Sequence, residues 1–169
     1  MRKRYGIQAY VKQRGAQVVM LHETHLLKEE GAALQKRWRG QIYYTSYSAF
    51  SWGVLIWIRP GVPFQENKVI VDEAGRYVIL CGRLHGRVIA LINMYAPNVD
   101  QPEFLNRLSG HLMSLTEYPM IIGGDFNCIS DVVLDRSHPP LPRSPADRVA
   151  KSMRDWESHW NIVDTWRAY

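Results

Sequence analysis

The chain has 169 residues, enough for one domain with a core of its own, and its apolar (46%) and charged (22%) fractions are those of an ordinary globular protein. Its two cysteines, Cys81 and Cys128, exclude a disulfide scaffold and supply no CxxC or Cys/His cluster for zinc, so a reducing, nuclear or cytoplasmic compartment is expected. No apolar run approaches the ~18 residues of a membrane span, the basic segment Met1–Arg14 lacks the apolar stretch of a signal peptide, and the net charge of +5 points mildly to a polyanionic partner.

In chain order, Arg2 to Arg14 reads as an amphipathic helix stopped by Gly15, with Tyr5, Ile7, Ala9, Tyr10 and Val11 set among basic residues. Gln17–Leu21 is a short buried strand that runs into His22-Glu23-Thr24-His25-Leu26. The zinc-protease signature HExxH needs histidines four apart on a helix. Here they are three apart and follow a strand, so His22 and His25 read as packing or surface residues. Glu23 falls at the C-terminal end of a strand, where ligands collect in α/β architectures; the plain alternative is a solvated glutamate.

Lys28–Arg39 is a short helix closed by Gly40. Gln41–Phe50 is a strand followed by a loop, and Tyr43, Tyr44 and Tyr47 read as packing residues. Gly53–Ile58 is a strand stopped by Pro60-Gly61. Lys68–Val71 is another, and Asp72-Glu73-Ala74-Gly75 is turn chemistry. Arg76–Leu84 and Arg87–Tyr95 form a hairpin about His85-Gly86. Pro97 ends the second of these runs, since the residue before a proline avoids helix. Gln101–Leu115 is a helix with Phe104, Leu105, Leu108, Leu112 and Leu115 on one stripe. Asp131–Ser144 is a proline-rich loop, and Pro145–Trp160 is a final amphipathic helix with Val149, Met153, Trp156 and Trp160.

Between those helices lies Met120-Ile121-Ile122-Gly123-Gly124-Asp125-Phe126-Asn127. It reads as a buried strand that ends in two glycines, which allow a turn and a close backbone approach. If the segment stays extended, Asp125 and Asn127 point to one side and Phe126 to the other. A carboxylate and an amide at the mouth of a sheet suit a hard cation, or a water about to attack phosphorus. The plain alternative is a strand end with a solvated pair. Glu23, Tyr95 and Asp125/Asn127 each follow a strand, and together they fit Mg²⁺-assisted hydrolysis of a phosphodiester.

Leu21-His22-Glu23-Thr24-His25-Leu26, Asn93-Met94-Tyr95-Ala96-Pro97-Asn98 and Gly123-Gly124-Asp125-Phe126-Asn127 together resemble the endonuclease/exonuclease/phosphatase superfamily, in its order and spacing. The nearest likeness is to the apurinic/apyrimidinic-type endonuclease domain of non-long-terminal-repeat retrotransposons, a relative of exodeoxyribonuclease III. Leu134-Asp135-Arg136-Ser137 and Ile162–Arg167 look like that branch too. The resemblance implies an α+β fold, an αββα four-layer sandwich of the DNase I-like type, over residues 1–169.

It also implies roles. Glu23 is the metal ligand, with Asp125 and Asn127 beside it, and Mg²⁺ or Mn²⁺ is the cofactor. Tyr95 contacts or positions the phosphate. Asp125 orients or deprotonates the water, and Asn127 holds Asp125 and the transition state. DNA is the partner, with no membrane and no obligate protein partner. Arg2, Lys3, Arg4, Lys12 and Arg14 are the first candidates for nucleic-acid contact, and Arg143, Arg148, Lys151 and Arg154 the next.

The family's first strand with its asparagine, and its closing Ser-Asp-His, have no counterpart here. The chain is therefore expected to be truncated at both ends, impaired as an enzyme, and short of strands in the second sheet. Two other readings stand beside the nuclease: a non-catalytic retrotransposon remnant that binds nucleic acid weakly, and a phosphatase for a small or lipid substrate.

Overall fold

A computed structural model describes residues 2–26, 28–45, 53–98, 100–128 and 145–168. The chain begins with helix α1 (Arg2–Arg14), strand β1 (Val18–Leu21) and helix α2 (Lys28–Trp38). Five strands follow: β2 (Gln41–Thr45), β3 (Val54–Ile58), β4 (Phe64–Val71), β5 (Tyr77–Leu84) and β6 (Arg87–Tyr95). Helix α3 (Gln101–Leu112), extended by a tighter turn over Met113–Leu115, connects β6 to strand β7 (Met120–Asp125). Helices α4 (Pro145–His159) and α5 (Thr165–Ala168) complete the described chain. None of the described helices is long and apolar enough to cross a membrane.

Two compact units result: Met1–Tyr95 with Leu115–Asp125, and Ala96–Ser114 with Phe126–Tyr169. The first holds two sheets, one of order β1-β3-β2 and one of order β4-β5-β6-β7. Among the described strands all pairings are antiparallel except β6 with β7, which are parallel. A parallel pair needs a crossover, and α3 with its extension supplies it.

The strands ahead of Tyr95 therefore do not gather into one uncovered sheet. Local hydrophobic runs do not say which strands pair. Here β1 to β3 make one sheet, while β4 to β6 join β7 in the other.

Strand β3 shows why the two sheets need each other. All five of its residues are buried. Val54, Ile56 and Ile58 pack with Val78, Leu80 and Leu91 of the other sheet. Leu55 and Trp57 point the other way and pack with Val11 of α1 and with Leu34 and Trp38 of α2. Successive residues face opposite sides of a strand, so a run that is apolar on both sides must be covered on both. Each such side chain contributes roughly 1.5–3 kcal/mol. On α1, Ile7 and Val11 form the inner face, whereas Tyr10 is exposed at 58%. The apolar face of that helix is thus narrower than its composition suggests.

Strand β4 starts at Phe64, earlier than its apolar residues indicate, because Phe64 and Gln65 pair with Leu84 and Arg83 before a bulge at Glu66/Lys68. At the other end of the β4–β5 connection, Asp72 accepts from the backbone of Gly75, 3.0 Å, and of Arg76, 3.0 Å, as turn chemistry requires.

In the second unit, Phe104, Leu105, Leu108 and Leu112 of α3 are buried. Helices α3 and α4 are joined by two tryptophans one turn apart: the indole N–H groups of Trp156 and Trp160 both donate to Ser109 Oγ, at 2.8 and 3.1 Å. Residues 46–52 and 129–144, which include Tyr47, His138, Arg143 and the Leu134–Ser137 stretch, lie outside the described residues.

Candidate active site

Strand β7 differs from expectation in a way that sets the geometry. Gly123, Gly124 and Asp125 belong to the strand and pair with Asn93, Met94 and Tyr95 of β6. The glycines serve close approach rather than a turn. A Cβ on Gly124, which has φ +134, would lie on the Met94 carbonyl oxygen, and a Cβ on Gly123 would meet the Met20 sulfur of β1 at 2.8 Å. The strand is also less buried than its sequence suggests, with Ile121 exposed at 53%.

The register places Asp125 directly beside Tyr95 at the C-terminal ends of two parallel strands. Neighbouring strands lie about 4.8 Å apart, and paired residues point to the same face. Asp125 and Tyr95 are both half-buried, and Tyr95 packs against the core between the sheets. The Tyr95 backbone N–H donates to Arg76 O, 2.7 Å. The His22 ring stacks on the Tyr95 ring, with centroids 6.3 Å apart and planes inclined by 26°. The end of β1 therefore arrives where β6 and β7 end, and it carries Glu23.

Glu23 is exposed and has φ +51, an uncommon conformation for a residue with a side chain. Hydrogen bonds lie on both sides of it. On one side the Asn93 side chain donates to Leu21 O, 2.8 Å, and on the other Thr24 N–H donates to Gly53 O, 3.0 Å. Gly53 N–H in turn donates to Gly75 O, 3.1 Å.

Asn127 belongs to the second unit. It has φ +46, so its backbone is not that of an extended strand. Its side-chain N–H donates to Ala96 O, 2.7 Å, and the buried Gln101 amide donates to Phe126 O. The segment that follows β7 is tied down within that unit at Phe126 and at Asn127.

Among the described residues no group of three or more His, Cys, Asp or Glu side chains is placed to hold a metal. A magnesium ion does not need three; it binds through one or two carboxylates, waters and substrate phosphate. Glu23 and Asp125 are oxygen donors on converging strand ends, which is chemistry that suits a hard cation.

Of the basic candidates, Lys12 and Arg14 are exposed on α1, and the Arg14 guanidinium lies over the Tyr10 ring, 5.3 Å from its centroid. Arg2, Lys3 and Arg4 lie in the same helix. Arg148, Lys151 and Arg154 are exposed on α4. The sequence assigns no role to Gln101, and none to Asn93 beyond its place at the head of one of the three motifs. The signal at Asn93 was a lone amide inside the apolar run Val88–Met94. His22 was read as a packing or surface residue, and its contact with Tyr95 carried no sequence signal.

No family model matches the chain. It is 28% identical over 166 residues, 96% of its length, to the transposon TX1 uncharacterized 149 kDa protein of Xenopus laevis, of which it spans 12%. Its structure is similar to an AP endonuclease from Archaeoglobus fulgidus, with a TM-score of 0.63 and 16% identity over 88% of this chain and 63% of that one. It is also similar to D. rerio TDP2 complexed with single strand DNA product, with a TM-score of 0.54 and 22% identity over 80% of this chain and 58% of that one. The human Nocturnin catalytic domain gives a TM-score of 0.53 at 12% identity, over 73% of this chain and 55% of that one. The chain thus spans less than two thirds of each of these proteins, and the structural likeness is one of fold.

Proposed function

Taking the chain as an α+β, DNase I-like domain of the endonuclease/exonuclease/phosphatase superfamily, of retrotransposon type, we propose that it hydrolyses phosphodiester bonds in DNA with Mg²⁺ or Mn²⁺. The observation that supports this most is the pairing of Tyr95 with Asp125, with the His22 ring stacked on Tyr95 so that Glu23 arrives at the same strand ends. The AP endonuclease and the TDP2 complexed with single strand DNA product have the same fold, which favours DNA over a small or lipid substrate.

In this reading Glu23 and Asp125 would hold the ion. The ion, when bound, polarises the scissile phosphoryl group. Asp125 accepts the proton of the attacking water on its carboxylate, the work of a general base. The Tyr95 hydroxyl donates to a non-bridging phosphate oxygen and orients it. Lys12, Arg14 and the other cations of α1 bind the DNA backbone.

The test is nicking of supercoiled plasmid by the purified chain, with Mg²⁺ and with EDTA. Open circles that appear only with Mg²⁺, and not with a Glu23→Ala/Asp125→Ala double variant, are expected. Absence of nicking at micromolar protein, with retained DNA binding, would replace this reading by the non-catalytic one.

A further inference from the structure

Asn93 is fully buried in the core between the two sheets and carries none of the roles above. Both of its side-chain N–H bonds go to the opposite sheet: one to Leu21 O of β1, 2.8 Å, and one to Leu55 O of β3, 2.9 Å. Two residues beyond Leu21 in the chain is Glu23. Two residues beyond Asn93 itself is Tyr95. In register with Asn93 on β7 is Gly123, and two residues beyond that is Asp125. One amide therefore sits an equal step behind all three candidate residues and joins the strands that carry them. Two carbonyl acceptors fix which end of the amide is nitrogen, because an oxygen there would face two lone pairs. Its Oδ1 is left buried without a hydrogen-bond partner. A polar group is costly to bury in that state, and a leucine in its place would pack without that cost.

We infer that Asn93 is a positioning residue: it holds the end of β1 against the β6–β7 pair so that the Glu23 turn is set against Tyr95 and Asp125. This rests on the proposed phosphodiesterase site. The partner strands lie 72 and 38 residues away in the chain, so no local preference can set that distance. Interactions between the sheets must, and apolar contacts slide more easily than a pair of hydrogen bonds. Gly123, in register with Asn93, leaves room there for the end of the Met20 side chain of β1.

The experiment compares wild type with Asn93→Asp, which keeps the shape and turns both donors into acceptors. Ile92→Val serves as a control for core loosening, since Ile92 is buried on the opposite face of β6. Amide hydrogen exchange is read at Thr24, whose N–H is bonded to Gly53 O, and at Val78 to Leu80 of β5. The expected result is exchange at Thr24 at least tenfold faster in Asn93→Asp, with β5 unchanged. Alongside it, kcat for plasmid nicking falls at least tenfold, KM for DNA moves less than twofold, and the half-saturating Mg²⁺ concentration rises. Ile92→Val lowers the melting temperature without this local signature.

Unchanged exchange at Thr24, or a uniform acceleration like that of Ile92→Val, overturns the inference. If Asn93→Asp does not fold, Asn93→Ser keeps one donor and the same exchange comparison applies. A wild-type chain that cuts no DNA sinks the proposed function alone, because the exchange at Thr24 still decides whether Asn93 sets the turn.

Discussion

Tyr95 and Asp125 stand opposite each other at the ends of β6 and β7, the one parallel pair among the described strands. The chain between them is a helix and its connections, so their meeting is a product of the crossover. If this pair carries the chemistry, Asp125→Asn lowers the rate of plasmid nicking by at least about 10², the usual range for loss of a general base. Tyr95→Phe lowers it by roughly 10- to 100-fold, the worth of one hydrogen bond to a charged group. Neither change opens a cavity, so thermal melting should shift little. A full-rate Asp125→Asn variant would remove Asp125 from the mechanism.

Glu23 is exposed, and its replacement should act on the metal rather than on the fold. Glu23→Gln is expected to raise the half-saturating Mg²⁺ concentration about tenfold or more, equivalent to about 1.4 kcal/mol. DNA affinity in EDTA should stay the same. Tight zinc binding that disappears in a His22→Ala/His25→Ala variant would point to a different ion and a different donor set.

Binding of DNA through α1 should show in its salt dependence. Each phosphate neutralised releases counterions and contributes a slope of about −0.9 in log K against log[salt]. Lys12→Gln and Arg14→Gln are each expected to reduce the slope by about that amount. An unchanged slope in the double variant would assign the binding elsewhere, with Arg148, Lys151 and Arg154 the next to replace.

Two glycines should respond to alanine in opposite directions. Gly124→Ala drives a methyl group into the Met94 carbonyl at φ +134 and is expected to cost at least about 2 kcal/mol in urea denaturation. Gly110 lies in α3, where an added methyl group would meet nothing within 4 Å, so Gly110→Ala should stabilise the chain by about 0.5–1 kcal/mol. Equal effects would mean that β7 does not run so close to β6.

Burial pushes the Cys81 thiol above its ordinary range, a shift that nearby Lys68 only partly opposes. Native protein treated with iodoacetamide at pH 8 should be alkylated at Cys128 and spared at Cys81, and unfolded protein at both. The folded state favours the protonated thiol. Its contribution to stability is therefore intact below the ordinary thiol pKa and is lost as the pH rises past it, from about pH 9 upward. Early labelling of Cys81 in the native protein would show that the face of β5 it occupies opens readily.

Local pattern carried a good deal of this protein. The stripe on α3, the apolar run of β3, the turn at Asp72–Gly75 and the hairpin at His85-Gly86 are all properties of neighbouring residues, and each was legible because its periodicity or turn chemistry is contained within a few positions. The order and spacing of three short motifs carried the resemblance to a superfamily for the same reason: each motif is one strand end and the residues that follow it. What no local pattern holds is the choice of partner. Whether a strand joins one sheet or the other, which residue faces Asp125, and why Gly124 must lack a side chain depend on backbones that meet after dozens of intervening residues. Asn93 shows the limit most plainly. In the sequence it is a polar interruption of an apolar strand, and only the packing of β1 and β3 across the core supplies the two carbonyls that give its amide a purpose.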